Sequence, residues 1–245
     1  MYNEEDRVSE TFASFVGFIR RQARGSWLVF VDDGSEDATV EVVYRALEAH
    51  RADDCVTVLC RSHEGKGAAV RAGLSETVTD IAAFCDVDLA TPLEQVELLV
   101  AEAIRTPSLA IGSRATPAAQ VLRHERRRRE LLGKAFNRVV RLALCRGIAD
   151  TQCGAKAAQT TVWKAILPYS VEDGFAWDVE VIALARRFGI PVTELGVRWS
   201  HDERTRVRLG RDGVAMVLAL PRIWYHVHKG PSAPFALSQT YPGLP

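Results

Sequence analysis

The sequence lacks the segments that carry a chain into or across a membrane. No basic and apolar leader precedes a cleavage site, and no window approaches the roughly 18 uncharged apolar residues that a membrane span requires. The five cysteines are odd in number and show no C-x-x-C spacing, which argues against a disulfide framework. We therefore expect a cytoplasmic protein whose cysteines are reduced, buried thiols.

The formal net charge of the whole chain is zero, although its two halves carry opposite net charges. The 245 residues contain 31 basic and 31 acidic side chains, which argues against a nucleic-acid-binding protein. Residues 1–110 hold 10 Lys and Arg against 20 Asp and Glu, whereas residues 111–245 hold 21 against 11. An asymmetry of charge between the two halves of a chain is a clue to function even when the net charge is zero.

The composition, 47% hydrophobic and 25% charged, is that of a globular domain. Strand-like apolar runs alternate with helical patterns, which predicts an α/β fold with parallel strands. The predicted strands are 27–31, 55–60, 81–85, 109–114 and 192–199. The predicted helices are 35–49, 68–77, one that starts near 91, 123–146 and 179–188, and the Pro- and Gly-rich end of the chain predicts a flexible tail.

Two pairs of carboxylates stand directly after predicted strands, Asp32 with Asp33 and Asp86 with Asp88. In an open parallel sheet, ligands bind beyond the carboxyl ends of the strands, so both pairs are expected to face one cleft. The D-x-D spacing lets Asp86 and Asp88 face Mg²⁺ or Mn²⁺, which one or two carboxylates plus substrate phosphates typically hold. Alternatively, the D-x-D only caps the helix that begins near Thr91.

The Gly-Lys-Gly run at 65–67 has two interpretations. Its glycines admit a close backbone approach and Lys66 supplies charge, which suits a phosphate, although the run is not a Walker A loop. A plain helix-entry turn explains the same glycines.

None of the six histidines has the spacing of a metal ligand or a catalytic triad, so we expect them at the surface.

Residues 123–146 carry nine Lys and Arg with two Glu, interleaved with apolar residues at helical spacing. The run 126–129 is entirely arginine, which fits a solvated helix face, an anionic membrane surface or a phosphorylated lipid. The apolar, Trp-bearing segment 214–225 is a second candidate for bilayer contact, with an ordinary core helix over 214–220 as the alternative.

Seven short motifs follow one another between residues 2 and about 200. They are Tyr-Asn-Glu-Glu at 2–5, Val-Asp-Asp-Gly-Ser at 31–35, Gly-Lys-Gly-Ala-Ala-Val-Arg at 65–71, Asp-Val-Asp-Leu-Ala-Thr-Pro at 86–92, Gly-Ser-Arg at 112–114, Asp-Thr-Gln-Cys-Gly-Ala-Lys at 150–156 and Phe-Ala-Trp-Asp-Val-Glu at 175–180. With them the chain resembles the inverting family 2 glycosyltransferases of GT-A fold, in particular the dolichyl-phosphate β-glucosyltransferase and polyprenyl-phosphate glycosyltransferase branch.

The resemblance implies a GT-A, Rossmann-like fold with a mostly parallel central sheet flanked by helices. It implies one domain over 1–228, with a nucleotide-binding half (1–110) and an acceptor-binding half (111–228), and a tail over 229–245. It also implies transfer of a sugar, with glucose favoured, from a UDP-sugar to a polyprenyl phosphate with Mg²⁺ or Mn²⁺. A soluble small-molecule acceptor and a nucleotide-sugar-binding protein without turnover are the alternatives.

The resemblance also assigns roles to residues. Glu4 and Asp33 are expected to contact the ribose and base, with Tyr2 and Lys66 beside the nucleotide sugar, and Asp86 and Asp88 are expected to hold the metal. The expected acceptor-phosphate ligands are Arg114, Arg126 and Arg129. The residues expected at the reacting groups and the sugar pocket are Asp178, Arg114, Asp150 and Gln152.

The sequence departs from the family pattern at three places. Met1 stands where the family has a hydrophobic strand before the Tyr-Asn-Glu motif, so either the natural start lies upstream or the sheet lacks its first strand. Ala90 replaces the Gln of mannosyl-transferring relatives, which favours the glucosyl branch. Eukaryotic members carry an N-terminal membrane helix that is absent here, so we expect peripheral membrane contact at the inner face of the membrane.

Overall fold

The computed structural model describes residues 1–23, 25–123, 127–202, 204 and 210–230. The helices are α1 Glu5–Ile19, α2 Thr39–His50, α3 Lys66–Ser75, α4 Leu93–Arg105, α5 Arg127–Ala143, α6 Thr160–Ile166, α7 Trp177–Arg187 and α8 Arg211–Lys229. The strands are β1 Leu28–Asp32, β2 Val56–Cys60, β3 Ile81–Cys85, β4 Leu109–Ser113, β5 Gln120–Arg123, β6 Ala155–Gln159, β7 Val192–Gly196 and β8 Arg198–Ser200.

The strands form a mixed, largely parallel arrangement flanked by helices, which confirms the predicted fold class. Strands β1 and β2 are parallel, with Leu28 opposite Val56. A four-stranded sheet follows in the order β3-β6-β4-β7, where β4 and β7 are parallel and β6 runs antiparallel to both of its neighbours. Strands β5 and β8 form a small parallel pair beside this sheet.

The predicted strands and helices are present with ends shifted by a few residues, except that the predicted strand 192–199 is divided into β7 and β8. Four elements had not been predicted, namely α1, β5, β6 and α6. Helix α1 carries an apolar stripe, Val8, Phe12, Phe15 and Val16, that packs against β1 and α2. Strand β6 reads Ala-Lys-Ala-Ala-Gln, a composition with little preference for strands. It forms a strand because its residues are buried between β3 and β4, so tertiary packing overrides local preference.

The apolar core is divided. One cluster joins α1, α2, β1 and β2, and the largest gathers α6, α7, α8 and the four-stranded sheet around the fully buried rings of Trp163 and Trp177. A third cluster packs α4 against β4 and β6. All five cysteines are free thiols, as predicted. The expectation that they are buried is wrong for Cys60, which is exposed at the end of β2.

Among the helices described here, none combines the length and the apolar character needed to cross a bilayer. Helix α8 extends through Lys229, so it includes the first residue of the predicted 229–245 tail. The rest of that tail, from 231 onward, lies outside the described residues.

The loop before α7 is held by one buried carboxylate. Glu180 is fully buried and accepts hydrogen bonds from Ser170 Oγ at 2.7 Å, Val171 N at 3.1 Å and Glu172 N at 3.0 Å. The same loop supplies the Asp173 carbonyl that accepts the Gly67 amide of α3 at 2.7 Å. Glu180 therefore fixes the loop on which α3 begins.

We expect Glu180→Gln to destabilise the fold by about 1–3 kcal/mol, because the amide group turns one acceptor into a donor that faces buried N–H groups. Urea unfolding followed by circular dichroism measures this. The control is Glu97→Gln on the exposed face of α4, where we expect less than about 0.5 kcal/mol. Equal effects of the two substitutions would contradict this role for Glu180.

Candidate functional site

One cavity of about 2070 Å³ brings together side chains from both halves of the chain. Ten of the residues predicted from the sequence line it: Tyr2, Glu4, Asp33, Lys66, Asp86, Asp88, Arg114, Asp150, Gln152 and Asp178. Arg126 lies outside the described residues, and Arg129 is described only as backbone within α5. The predicted shared cleft is present for Asp33, Asp86 and Asp88. The prediction is wrong for Asp32, whose buried carboxylate accepts the amides of Gly34 and Ser35 at 3.1 and 3.0 Å and does not line the cavity.

The D-x-D carboxylates follow β3 directly. The Asp86 amide donates to Gly154 O at 3.0 Å, and its carboxylate is about half exposed to the cavity. Asp88 Oδ1 accepts the Ala90 amide at 2.9 Å. Burial and the neighbouring Asp86 carboxylate raise the pKa of Asp88. The N-cap of α4 is Pro92, with no side-chain cap hydrogen bond, so the alternative that the D-x-D caps this helix is not supported.

Gly154 makes room for one of these carboxylates. A Cβ atom built on Gly154 would lie 1.8 Å from Asp86 Oδ2, so only glycine allows the carboxylate to rest against the backbone before β6. Gly154 belongs to the sequence motif at 150–156, but the motif does not indicate that this glycine contacts Asp86.

The two carboxylates could hold a hard divalent cation. Carboxylate oxygens are the donors that Mg²⁺ and Mn²⁺ prefer, and Asp86 and Asp88 supply them at one point of the cavity wall. In the part of the chain that the structure describes, no cluster of three or more His, Cys, Asp or Glu residues surrounds a possible cation. A cation held here would therefore take its remaining ligands from substrate and water.

A chain of alternating charges extends from Asp86 into the core. Lys66 Nζ lies 3.1 Å from Asp86 Oδ1 and 3.2 Å from Asp178 Oδ2, and Lys156 Nζ lies 2.5 Å from Asp178 Oδ1. Asp178 and Lys156 are both almost fully buried. Burial acts to raise the pKa of Asp178, but the two ammonium groups lower it below its ordinary value. Lys156 is a functional neighbour that the sequence did not mark as such.

The Gly-Lys-Gly run is a helix-entry turn whose lysine faces the cavity. Gly65 has a φ of 125° and precedes the first residue of α3. The Gly67 and Ala68 amides both donate to Asp173 O, at 2.7 and 3.2 Å, so this carbonyl occupies donors that a phosphate would otherwise use. The charge of Lys66, and not the backbone of the turn, is what this run offers to a ligand.

Asp33 is held by the loop after β2. Its carboxylate, on a residue that is 3% exposed, accepts the amides of Glu64 and Gly65 at 3.0 and 2.9 Å and contacts His63 Nδ1 at 2.8 Å. The His63 ring stacks on Tyr2 with 3.9 Å between ring centroids. The expectation that the histidines are only surface residues is therefore incomplete, since His63 joins two residues of the cavity.

Glu4 is paired with a buried arginine. Arg7 Nη1 donates to both carboxylate oxygens of Glu4, at 2.8 and 2.7 Å, and Arg7 Nε donates to Asp202 Oδ2 at 3.2 Å. This arrangement connects the start of α1 to the segment after β8. It also holds the Glu4 carboxylate at the cavity wall in a defined position.

Arg114 and Asp150 form a bidentate pair. Arg114 Nε and Nη2 donate to the two oxygens of Asp150 at 2.7 and 3.0 Å, and the guanidinium lies 5.2 Å from the Trp199 ring centroid. Burial acts to raise the pKa of Asp150, but Arg114 lowers it overall. Glu194 accepts hydrogen bonds from the backbone amides of residues 149 and 150, and it therefore fixes the loop that carries Asp150. Neither Trp199 nor Glu194 was predicted.

Comparison with known proteins identifies the family. The model for "Glycosyl transferase family 2" matches residues 1–160. A dolichyl-phosphate β-glucosyltransferase of Drosophila melanogaster is 31% identical over 230 residues, which cover 86% of this chain and 70% of that protein. The enzyme of the same description from Homo sapiens is 28% identical, with 84% and 67% covered.

A solved structure has the same fold. Glucosyl-3-phosphoglycerate synthase from Mycobacterium tuberculosis, in complex with Mn²⁺, UDP and glucosyl-3-phosphoglycerate, has a TM-score of 0.64 and 18% identity. The match covers 95% of this chain and 79% of the synthase. Together with the family match over most of the chain, this likeness shows that the protein belongs to glycosyl transferase family 2 and is a glycosyltransferase with the GT-A fold.

Proposed function

We propose that this protein transfers glucose, with inversion and with the help of Mg²⁺ or Mn²⁺, from UDP-glucose to a polyprenyl phosphate. The observation that carries the proposal is the single cavity that joins Asp86, Asp88 and Lys66 to Arg114 and Asp150. The dolichyl-phosphate relatives support the acceptor and the sugar, and the solved synthase with Mn²⁺ and UDP supports the metal and the nucleotide.

The donor diphosphate needs positive charge when it leaves. Asp86 and Asp88 would hold the divalent cation, which when bound neutralises the departing diphosphate. Lys66 already lies between Asp86 and Asp178, so its ammonium is within reach of a phosphate that enters beside the D-x-D. Tyr2, Glu4 and Asp33 line the same cavity, where the nucleoside would bind.

An oxygen atom of the acceptor phosphate is itself the nucleophile. A phosphate monoester has a second pKa near about 6, so its oxygen is anionic at neutral pH and needs little general-base help. Asp178 would be a poor base in any case, since the lysines on both sides lower its pKa. We assign it the role of positioning Lys66. Attack from the face opposite the diphosphate forms the new sugar–oxygen bond as the old one breaks, and turns an α-linked donor into a β-linked product.

Arg114 is the described candidate for the acceptor phosphate. Asp150 and the Trp199 ring hold its guanidinium in place, which suits the bidentate recognition of an oxyanion. Arg126 and Arg129 remain expectations from the family resemblance. Asp150 and Gln152 border the cavity beside Arg114, where the donor sugar would lie.

The apolar surface of α5 and α8 suits a lipid-borne acceptor. The two helices contact each other, and both line the cavity. Their exposed apolar side chains are Leu131, Leu132, Val139, Leu142, Val214, Val217, Leu218, Trp224 and Tyr225. On α8 only one face is buried, so segment 214–220 is not simply a core helix. We propose that this surface, with the basic residues of α5, lies on the membrane that holds the polyprenyl phosphate.

Transfer is tested with a panel of UDP- and GDP-sugars, a short polyprenyl phosphate and mass detection of the product. We expect a glucosylated lipid phosphate from UDP-glucose that requires Mg²⁺ or Mn²⁺. Asp88→Asn should lower the rate about 100-fold or more, because charge stabilisation at a reacting centre contributes on that scale. Asp80→Asn, at an exposed residue before β3, is the matched control and should leave the rate unchanged.

Other results of the same panel would favour the alternatives. Product formed only on soluble phosphate acceptors would replace the lipid acceptor by a small metabolite. Binding of UDP-sugars without transfer or hydrolysis under any condition would indicate a binding protein without turnover.

Gly154→Ala should weaken metal-dependent UDP binding by at least about tenfold, because the added methyl group displaces the Asp86 carboxylate. Isothermal titration calorimetry with UDP, in Mg²⁺ and in EDTA, measures the effect. Gly133→Ala in α5, where nothing lies within 4 Å of the added Cβ, serves as the control. If both variants bind UDP like the original protein in Mg²⁺, the D-x-D does not hold the metal.

Binding to vesicles tests the membrane surface. At low salt we expect the protein to sediment with vesicles that contain anionic phospholipid more strongly than with neutral ones, because basic side chains on α5 add electrostatic attraction. Leu218→Glu on α8 should reduce this binding, whereas Val78→Glu, at a still more exposed apolar residue away from α5 and α8, should not. Equal binding to neutral and anionic vesicles would argue against the proposed contact.

A further inference from the structure

Helix α8 is tied to the loop before α7 by two contacts. Arg222 Nη2 donates to the Glu172 carboxylate, and His226 Nε2 donates to Tyr169 O at 2.7 Å one turn further along. The Glu172 side chain is 8% exposed, whereas the Arg222 side chain is 63% exposed. Because a buried carboxylate without compensation is costly, Glu172 depends on a charge that the outer surface of α8 supplies.

The same carboxylate orients the peptide group between Asp173 and Gly174. Glu172 Oε1 accepts the Gly174 amide at 3.2 Å. The carbonyl of this peptide, Asp173 O, accepts the amides of Gly67 and Ala68 at 2.7 and 3.2 Å. Because a peptide group is planar, its N–H and C=O turn together. The position of the Glu172 carboxylate therefore determines where the acceptor of these α3 amides lies.

The loop and the start of α3 are in close backbone contact. A Cβ atom on Gly65 would lie 2.5 Å from Asp173 O, and one on Gly67 would lie 2.5 Å from Glu172 O. Closely packed groups transmit a displacement instead of absorbing it. Lys66 lies between these two glycines, so a shift of the loop moves the residue whose ammonium faces the D-x-D.

We propose that Arg222 is a positioning residue for the donor diphosphate. By holding the Glu172 carboxylate, it fixes the 173–174 peptide and, through that peptide, the start of α3 and the ammonium of Lys66. This inference rests on the proposed function, in which Lys66 faces the donor diphosphate. Arg222 acts from outside the cavity, whose lining residues on α8 are 211–218.

Arg222 also belongs to the surface that we place on the membrane. It follows the exposed Leu218 by four residues and precedes the exposed Tyr225 by three, so the three side chains share one face of α8. The helix that meets the lipid-borne acceptor would thus also set the geometry of the donor site.

Hydrogen exchange tests the contact in the full chain without any ligand. In Arg222→Gln we expect the amides of Gly67 and Ala68 to exchange about fivefold faster, because their acceptor loses its fixed position. The amide of buried Val43 in α2, which belongs to a different core cluster, should be unchanged. Unchanged exchange at Gly67 and Ala68 would overturn the proposal, as would equal acceleration at Val43, which indicates general destabilisation.

Two further variants sharpen this comparison. The contact uses one guanidinium nitrogen, so Arg222→Lys should restore the exchange rates to within about twofold of the original protein. Arg45→Gln is the matched control, since Arg45 is 66% exposed and is paired with a glutamate that is itself 70% exposed. It should leave the amides of Gly67 and Ala68 unchanged.

Ligand binding tests the consequence for the donor site. In Mg²⁺, Arg222→Gln should weaken UDP binding about fivefold in isothermal titration calorimetry, and Arg222→Lys should largely restore it. Uridine, followed by ligand-observed NMR, should bind both forms equally because it carries no phosphate for Lys66. Equal UDP affinity in Arg222→Gln and the original protein would overturn the proposal, as would an equal loss for UDP and uridine.

These results are separable from those that test the proposed function. An original protein that does not bind UDP in Mg²⁺ would contradict the proposed function. In that case, exchange at Gly67 and Ala68 still decides whether Arg222 holds the start of α3. A protein that binds and transfers from UDP-glucose, with equal UDP affinity in Arg222→Gln, would retain the proposed function and overturn this inference.

Discussion

The buried ion pairs around Asp178 are the interaction on which the site depends. Asp178 on α7 lies between Lys156 of β6 and Lys66 of α3, and Lys66 reaches on to Asp86 after β3. The buried charges of Asp178 and Lys156 are tolerated because they compensate each other, and loss of one partner from a buried ion pair typically costs about 3–5 kcal/mol. The network therefore fixes four elements relative to one another and places a cationic group beside the D-x-D.

The structure shows that the acidic and basic halves of the sequence do not act as separate blocks of charge. An acidic first half and a basic second half suggest that each supplies its own end of the cleft. Instead, compensation is mostly local: Glu4 pairs with Arg7 inside the acidic half, and Arg114 pairs with Asp150 inside the basic half. Among the described residues that line the cavity, Lys66 pairs with Asp178 and Arg7 pairs with Asp202 across the two halves. The net charge of a half thus says little about the charge that a ligand meets.

Local sequence patterns predicted much of the fold. Strands β1 to β4 each combine apolar residues with a sharp polar stop, so both their existence and their ends were predictable. Strand β6 was not, because three alanines and a lysine carry no strand signal and the burial of Lys156 depends on an aspartate 22 residues away. The motifs likewise predicted most of the residues that face the cleft, but they did not reveal that Trp199 contacts Arg114 or that Glu194 fixes the loop that carries Asp150.

The sequence by itself determined the α/β class, the family resemblance and the carboxylates at the strand ends, because these depend on neighbouring residues and on the fixed geometry of strands. Tertiary structure alone decided that Gly154 accommodates Asp86, that His63 joins Tyr2 to Asp33, and that β1 and β3 stand apart. Contacts of this kind join residues 30 or more positions apart along the chain. Their geometry is set by the packing of whole elements, which no local pattern of side chains specifies.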